Sequence, residues 1–480
     1  MRDKLSGGVK AGWARREMKQ LCHGDKRLKE RAIRLLESCA QRPGASLPRA
    51  CGDWAGGKGA YRYLSNAAVQ PEHLLRSHRA ATWQRMAAHE VVLAVADTTS
   101  LNHTSHPGTQ GLGPIHKKNS SAQGLHLHSV LALSEPGEPL GLLHAHTWVR
   151  SMVRGKEEGQ RDRKQRAPQD KETHRWLAGY EELVRQCQEH EMQGKNKPSG
   201  PRVIMVADRE SDLYEVLLAA QKHKAACGLL VRAVHARRLQ EQEGVVWDEL
   251  GQQPESGKFS VAVPRQGSRP ARVAILSVRS ALVKLEAPLA KQQYFAASEP
   301  LEVWAIEARE VNPPSKQPAL HWKLLGTEEA RSFAQASRQL QWYAKRWNIE
   351  VFHKTLKSGC RTEERQLESC DRLERMLMLD AIVAWQLMAV TYAARYAPEA
   401  PASQWLEDTQ WRVLSCWATK QASSTKPPSI YQAVRWIARL GGFLGRKSDG
   451  EPGVQSLWLG LRNLQPMVEL WNAQQLVGNG

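Results

Sequence analysis

Two apolar segments with the pattern of buried strands each end in an aspartate. Val91 to Ala96 is followed by Asp97, and Val203 to Ala207 is followed by Asp208. Carboxylates at strand ends lie at the rim of an α/β sheet, where loops open and ligands have access. Taken alone this is a weak signal, because an aspartate after a strand is more often a turn or cap residue.

A third acid falls on a segment, from about Glu328 to Ser358, that is predicted to form one long helix. Tyr343, Arg346, Glu350 and Lys357 follow one another at steps of three, four and seven residues. At 3.6 residues per turn these side chains fall within about 60° of arc on one face. That face presents a carboxylate beside a phenol, a guanidinium and an ammonium. The alternative is an ordinary surface pair between Arg346 and Glu350.

Three carboxylates from separate parts of a chain can hold two divalent cations for phosphodiester chemistry. In such sites the ions lie about 3.5–4 Å apart, activate the attacking oxygen and stabilise the leaving oxygen. Mg²⁺ binds hard oxygen ligands such as carboxylates, water and phosphate. An arginine and a lysine beside the third acid would hold the phosphates of the strand being cut. The residue types therefore predict an enzyme that acts on nucleic acid.

The segments that would position these acids alternate between strands and helices. Further strands are predicted at Gly124 to Leu133 and Leu140 to Trp148, and a helix from about Thr173 to Glu191. This alternation predicts an α/β core. The charged stretch from Arg154 to Glu172 is predicted to be a solvated excursion. A β-sheet insertion is expected between about Arg232 and Trp322. Its strands are predicted at Lys258 to Val263, Ala271 to Val278 and Leu301 to Ala308.

Helical, basic sequence precedes this core. Asp25 to Cys39 has apolar residues at helical spacing, with Asp25 as the expected N-cap and Arg27 and Arg31 on an adjoining face. Exposed arginines on a compact helical unit are typical of DNA recognition, although they are also common on any solvated surface. The C-terminal sequence is helical and rich in tryptophan.

The charge balance indicates a polyanionic partner. Lys and Arg outnumber Asp and Glu by 68 to 49, which gives a formal charge of +19. A basic surface of this size attracts nucleic acid, although a merely basic soluble protein has the same composition. The eight scattered cysteines contain no Cys-x-x-Cys pair, which favours a reducing compartment over a zinc ribbon or a disulfide framework. The polar N-terminus has no signal-peptide pattern.

Three other patterns are set aside. Met376 to Ala394 is long and apolar, but Asp380 interrupts it, and a buried core helix is expected rather than a membrane span. His126 and His128 share one strand face, yet no third ligand matches them. Gly52 to Lys58 has the spacing of a phosphate-binding loop, but glycine stands where Ser or Thr would hold Mg²⁺ and no strand precedes it, so no nucleotide cofactor is expected.

The acidic segments resemble the three DDE motifs of the IS4-type transposases. The motifs are Asp97-Thr98-Thr99-Ser100-Leu101, Ala207-Asp208-Arg209-Glu210, and a complete Y-x2-R-x3-E-x6-K signature from Tyr343 through Glu350 to Lys357. The resemblance extends to Gly59-Ala60-Tyr61-Arg62-Tyr63 and to Ile437-Ala438-Arg439-Leu440-Gly441-Gly442-Phe443, so it covers nearly the whole chain. The segment between the two aspartates is longer and more charged than is usual in the family.

The resemblance implies an α/β fold with a ribonuclease-H-like catalytic core, a β-sheet insertion at about 232–322, and helical domains at both ends. The expected domains are a DNA-end-binding domain at 1–70, the catalytic domain at 71–396, and a dimerisation domain at 397–480. Asp97, Asp208 and Glu350 would be the catalytic residues and would ligate two Mg²⁺ or Mn²⁺ ions per active site.

Further residues are implied to bind DNA. Tyr343, Arg346 and Lys357 would grip phosphates near the transposon end. Trp322 would stack on a flipped base, which contributes about 1–3 kcal/mol per base, and its alternative role is that of a core tryptophan. Arg232 matches a DNA-contacting arginine of the family. The other expected DNA contacts are His353, Lys354, Arg27, Arg31 and Arg62.

The activity implied is that of a cut-and-paste transposase in a bacterial cytoplasm, associated with the nucleoid when bound to DNA. Water would nick the transferred strand, the freed 3′-hydroxyl would attack the opposite strand to give a hairpin, water would open the hairpin, and the 3′ ends would attack target DNA. The expected partners are double-stranded DNA, as inverted-repeat ends and target, and a second subunit when two ends are paired; no membrane is expected. Two alternatives stay open: a DNA-binding relative without catalysis, and a nuclease that cuts without joining.

Overall fold

The computed structural model describes most of the chain, in two compact units. The described residues are 12–22, 24–116, 121–150, 172–193, 200–240, 243–263, 270–288, 301–315, 317–422, 425–446 and 449–478. Unit one comprises residues 1–85, 98–155 and 350–480, and unit two comprises residues 86–97 and 156–349. Most of the excursion predicted at Arg154 to Glu172 lies outside the described residues. The domain boundaries proposed from sequence stay a prediction.

Unit two is built on parallel strands that are buried on both faces. The first half of β1 (Val91–Asn102) pairs in parallel with β5 (Arg202–Ala207), which pairs in parallel with β6 (Cys227–Arg232). Helix α6 (His174–Gln193) precedes β5, and helix α7 (Tyr214–Lys222) connects β5 to β6. The continuous apolar runs of these strands fit this position, because a parallel sheet has both faces covered.

The predicted β insertion continues this sheet in antiparallel order. Beyond β6 lie β10 (His321–Gly326), β9 (Leu301–Glu310), β8 (Arg272–Leu285) and β7 (Gly257–Val263). Burial alternates along β7, as expected when one face of an antiparallel sheet meets solvent. A short helix, α8, covers Val246–Gln252. The α/β class and the predicted strands of the insertion are confirmed.

The single long helix predicted from Glu328 to Ser358 is wrong in detail. Helix α9 (Phe333–Lys345) begins at a capping box in which Ser332 and Gln335 bond each other's backbone N–H groups. At Arg346 the backbone tightens to i→i−3 hydrogen bonds, and α10 (Trp347–Lys354) follows. A π-helical turn then covers Thr355–Gly359. The segment is therefore helical but changes its pitch twice.

Unit one contains a β-hairpin and most of the helices. Strands β3 (Gln123–Ser134) and β4 (Pro139–Trp148) pair antiparallel, as predicted, and the short β2 (Gly113–Pro114) pairs with β3. The N-terminal helices are α1 (Trp13–Glu17), α2 (Lys26–Gln41), α3 (Leu47–Cys51), α4 (Trp54–Leu64) and α5 (Pro71–Met86). Asp25 caps α2 through the backbone N–H of Arg27, as predicted.

A buried helix, α11 (Cys370–Tyr396), runs through unit one and packs against α2 and β4. It is the one described helix long and apolar enough to cross a membrane by length and composition, and 89% of its most apolar window is buried inside the protein. Burial on this scale is typical of a core helix, as the sequence predicted. The C-terminal helices are α12 (Asp408–Thr419), α13 (Ile430–Leu440) and α14 (Val454–Gly478).

Candidate active site and DNA interface

The parallel pairing of β1 and β5 in unit two brings Asp97 and Asp208 together. The register aligns Ala96 with Ala207, and each aspartate is the next residue along its strand direction. The prediction that both strands end in an aspartate needs one correction, because β1 continues beyond Asp97 to Asn102. The pairing with β5 nevertheless stops at Ala96. Asp97 thus lies at the rim of the parallel sheet although it lies inside a strand.

Arg346 lies beside both aspartates in unit two. Its Nη1 is 3.2 Å from Asp97 Oδ2, and both side chains are largely buried. The Asp208 carboxylate accepts a 2.9 Å hydrogen bond from the backbone N–H of Glu210. Burial raises the pKa of Asp208 above its usual value, while the Glu210 N–H and the Arg346 charge oppose that shift. A guanidinium therefore partly balances two carboxylates in a partly dehydrated position.

The donor set in unit two suits a hard divalent cation. Asp97 and Asp208 offer carboxylate oxygens, the ligands that Mg²⁺ and Mn²⁺ prefer. No group of three or more His, Cys, Asp or Glu side chains is close enough to form a complete cation site among the residues described. Arg346 currently interacts with one Asp97 oxygen, and a bound cation would compete with it. The two aspartates fit a metal site, whereas the three-carboxylate ligand set stays a prediction.

Glu350 and Lys357 belong to unit one. Glu350 lies on α10 and is partly exposed. Lys357, in the π-helical turn, lies 3.9 Å from the Glu363 carboxylate. Burial lowers the pKa of Lys357, and Glu363 opposes this shift. Glu363 also accepts a hydrogen bond from the backbone N–H of Asn102, so it holds the lysine against the second half of β1.

His353 and Lys354, the last two residues of α10, differ in their access to solvent. His353 is 6% exposed, and its Nε2 lies 2.7 Å from the Ser129 hydroxyl of β3. This position favours a structural role in unit one over the DNA contact predicted for its side chain. Lys354 is exposed and donates to Gln455 Oε1 at 3.0 Å. Lys354 is therefore accessible to DNA, as the prediction requires.

The residues implied in base flipping and phosphate contact lie near one another in unit two. Trp322 on β10 makes an edge-on contact with the Tyr343 ring, with centroids 5.3 Å apart. Trp322 is partly exposed, whereas Tyr343 is buried. Arg232, on the neighbouring strand β6, donates to the His321 carbonyl oxygen at 3.1 Å. The partial exposure of Trp322 argues against a role confined to the core.

Three predicted DNA-binding arginines of unit one line a single groove. Arg27 and Arg31 on α2 and Arg62 on α4 surround a cavity of about 410 Å³. The backbone of α4 approaches α2 closely at Gly59, where a Cβ atom would meet the Arg31 guanidinium. A larger residue at position 59 would displace the Arg31 guanidinium from this place. The groove therefore brings arginines of two helices together, whereas helical spacing in the sequence predicted an arginine face on α2 only.

Two residues of this groove were missed by the sequence analysis. Trp54 is 76% exposed, and the Lys58 ammonium lies 4.5 Å from the centre of its ring. An exposed tryptophan beside a cation is typical of surfaces that contact nucleic acid. A usable signal was present, because Trp54 and Lys58 are four residues apart, the spacing of neighbours on a helix.

The histidines set aside in the sequence contact side chains of β1 and β4. His126 Nδ1 lies 3.1 Å from the Ser100 hydroxyl, and His128 Nδ1 lies 3.0 Å from the Thr98 hydroxyl. Both rings are buried and contact other aromatic rings of β4. They connect the second half of β1 to the hairpin of unit one.

Comparison with known proteins places this geometry in context. Residues 10–69 match a family model described as transposase DNA-binding, and residues 382–475 match one described as the transposase Tn5 dimerisation domain. A solved piggyBac transposase synaptic complex with hairpin DNA is 8% identical over 78% of this chain and 68% of that chain, with a TM-score of 0.36. A structural similarity this low supports no conclusion.

The two family matches bear on the predicted partners. The DNA-binding match covers the groove of Arg27, Arg31 and Arg62, and the dimerisation match begins inside α11 and reaches into α14. They support DNA and a second subunit as partners and a DNA-processing enzyme as the function class. A DNA-binding segment at one end and the Tn5 dimerisation segment at the other indicate that the chain is a Tn5-like transposase.

Proposed function

We propose that the chain is a cut-and-paste DNA transposase that uses Asp97, Asp208 and Glu350 at its reacting centre. The observation that carries the proposal is the placement of two aspartates at the rim of adjacent parallel strands, with Arg346 beside them. Two divalent cations bound there would polarise the attacked phosphate and stabilise charge on the attacking and leaving oxygens.

The protein side chains have separate parts in this proposal. Arg346 donates to a non-bridging phosphate oxygen of the scissile strand once its contact with Asp97 is exchanged. Lys357 contributes a second cation to the same strand, and the partly exposed Trp322 stacks on an extruded base. Each group binds or orients DNA.

The bond changes are all in-line displacements at phosphorus. Water cleaves the first strand and leaves a 3′-hydroxyl and a 5′-phosphate. The 3′-hydroxyl then displaces an oxygen of the opposite strand, which closes a hairpin, and water opens that hairpin. Finally the 3′-hydroxyls displace strand oxygens in target DNA and join the two DNAs. The proposal needs no covalent protein–DNA bond.

The end-recognition surface is proposed to be the groove between α2 and α4. Arg27, Arg31 and Arg62 would neutralise phosphates or reach base edges, and Trp54 would pack against sugar or base. The Tn5 dimerisation match supports the proposal that two such subunits pair two ends.

The test compares Asp97→Asn and Glu350→Gln with the exposed Asp248→Asn in α8 as a matched control. In Mg²⁺, both acid variants are expected to lose cleavage of DNA that carries the element's ends, while gel shifts show end binding largely retained. The control is expected to cut normally. Cleavage by Asp97→Asn at the unmodified rate would contradict the proposal.

A strand-joining assay decides between the two remaining activities. A transposase joins its cut ends to a supercoiled plasmid, whereas a nuclease releases ends that stay unjoined. Cleavage without joining, under conditions where two ends are paired, would favour the nuclease. End binding without cleavage by the unmodified protein would favour a non-catalytic relative.

A further inference from the structure

A second positively charged cavity, separate from the groove of α2 and α4, lies in unit one. Its volume is about 840 Å³, which is within the size range of small-molecule sites. It lies between the α2–α3 connection, the segment after the π-helical turn, and α14. Five arginines line it: Arg42, Arg49, Arg361, Arg365 and Arg462.

Three of these arginines have carboxylate partners. Arg42 pairs with Glu469 at 2.6 Å, and Arg361 pairs with Glu364. Arg365 lies 2.7 Å from the buried Asp380 carboxylate, whose second oxygen also accepts from Arg365. Within each pair the positive and negative charges cancel, so the net charge of the cavity comes from the other two arginines.

Arg462 and Arg49 have no carboxylate partner among the described residues. Arg462 donates to three backbone carbonyls, from Nε to Pro43 at 2.5 Å and from Nη2 to Gly359 at 2.9 Å and Ser358 at 3.4 Å. Its Nη1 has no partner in the described part of the chain. Arg49 is exposed and makes no hydrogen bond or ion pair there. The cavity therefore carries an excess of about two positive charges.

The backbone is shaped so that the cationic side chains can crowd together. Gly44 has φ +73°, and a Cβ atom there would lie 2.3 Å from Arg462 Nη2 and 2.8 Å from Arg361 Cδ. Burial lowers the pKa of Arg462, and the nearby Arg361 charge lowers it further. The Arg361 and Arg462 guanidiniums repel each other, Glu364 offsets only part of this repulsion, and a bound anion would relieve the rest.

We propose that this cavity binds a phosphate group. Arginine forks fit tetrahedral oxyanions, and Arg462, held by backbone carbonyls, together with the exposed Arg49 would supply several charge-assisted hydrogen bonds. The phosphate could come from a small phosphate compound or from a DNA backbone. The site does not depend on the proposed catalytic residues, since it involves none of them.

The test is calorimetric titration of the full chain with pyrophosphate at constant ionic strength. Saturable binding of one pyrophosphate is expected, and Arg49→Gln or Arg462→Gln should weaken it at least about tenfold, as expected for the loss of charge-assisted bonds. Arg331→Gln, an exposed arginine of unit two, is the matched control and should bind as the unmodified chain does. If Arg462→Gln folds poorly, Arg462→Lys replaces it in the test. This variant retains the charge but loses the guanidinium fork, so it is expected to bind pyrophosphate more weakly than the unmodified chain but more tightly than Arg462→Gln.

Competition with a short duplex that lacks end sequence then separates the two sources. If pyrophosphate displaces the duplex and Arg49→Gln weakens both, the cavity receives a DNA phosphate. If pyrophosphate binds without affecting duplex affinity, it receives a small phosphate compound. Absence of saturable pyrophosphate binding, or binding unchanged in both Arg49→Gln and Arg462→Gln, overturns the proposal.

Discussion

Replacing Glu17 by glutamine should destabilise unit one, because Glu17 is a buried acid held by two basic side chains. Its carboxylate accepts from Arg85 at 2.6 and 3.2 Å, and His78 Nδ1 lies 2.7 Å away. The backbone N–H of Leu142 donates to His78 Nε2. The His78 proton is therefore on Nδ1, and the ring is a neutral donor to Glu17. Burial lowers the pKa of His78, which agrees with a neutral ring.

The size of the effect follows from the pKa of Glu17. Burial by itself would raise this pKa, but the bonds from His78 and Arg85 dominate and lower it from 4.5 to about 2. At about 1.4 kcal/mol per pKa unit, the ionised carboxylate contributes about 3 kcal/mol to folding. This agrees with the range of about 3–5 kcal/mol for breaking a buried ion pair.

The assay is urea unfolding followed by circular dichroism, with Glu30→Gln as the control. Glu30 also pairs with an arginine, Arg15, but the pair is exposed and contributes little. The contribution of a depressed acid pKa is complete above the unfolded value and is lost as pH falls through the folded value. The difference between Glu17→Gln and the unmodified chain should therefore shrink from pH 4.5 towards pH 2. A Glu17→Gln variant as stable as Glu30→Gln at pH 7 would refute the reasoning.

Four further predictions concern DNA. Lys58→Ala should reduce the slope of log affinity against log salt by about one unit, because one phosphate contact is lost. Trp54→Ala should instead lower the preference for end DNA over random duplex and leave that slope unchanged. Binding titrations at several salt concentrations measure both effects. Trp322→Ala should lower hairpin yield with normal first-strand nicking, as seen on denaturing gels, and an unchanged yield would remove its stacking role. The Arg346 charge opposes the rise in the pKa of Asp208 that burial causes. Arg346→Ala should therefore raise this pKa further and move the acidic limb of the pH–rate profile for residual cleavage to higher pH. A limb moved to lower pH would contradict this assignment.

The parallel core was the part of the fold most accessible from the sequence. A strand buried on both faces must be apolar throughout, so Val91 to Ala96 and Val203 to Ala207 were recognisable without any partner. Their terminal aspartates then predicted a shared rim, and the register of β1 with β5 brings Asp97 and Asp208 together. The continuation of β1 past Asp97 was not predictable, because its second half pairs within the other unit.

The helix boundaries near Arg346 depend on tertiary contacts that periodicity does not reveal. Glu328 was predicted to be helical but is instead paired with Arg202, and α9 starts five residues later. The capping box of Ser332 and Gln335 was visible in the sequence and would have corrected the start. The groove near Trp54 depends on how α4 packs on α2, which no local pattern encodes.

Helix α11 restricts how this chain can be divided. Arg375 donates to the Leu64 and Val69 carbonyls, and Arg365, held by Asp380, donates to the Ala45 carbonyl. The segment that matches transposase DNA-binding therefore has carbonyl groups whose donors come from sequence about 300 residues away. If that segment were expressed alone or grafted onto a relative, these carbonyl groups would lose their hydrogen-bond donors, and the apolar surface that packs against α11 would be exposed to solvent. Successful chimaeras would have to exchange it together with residues 350–396.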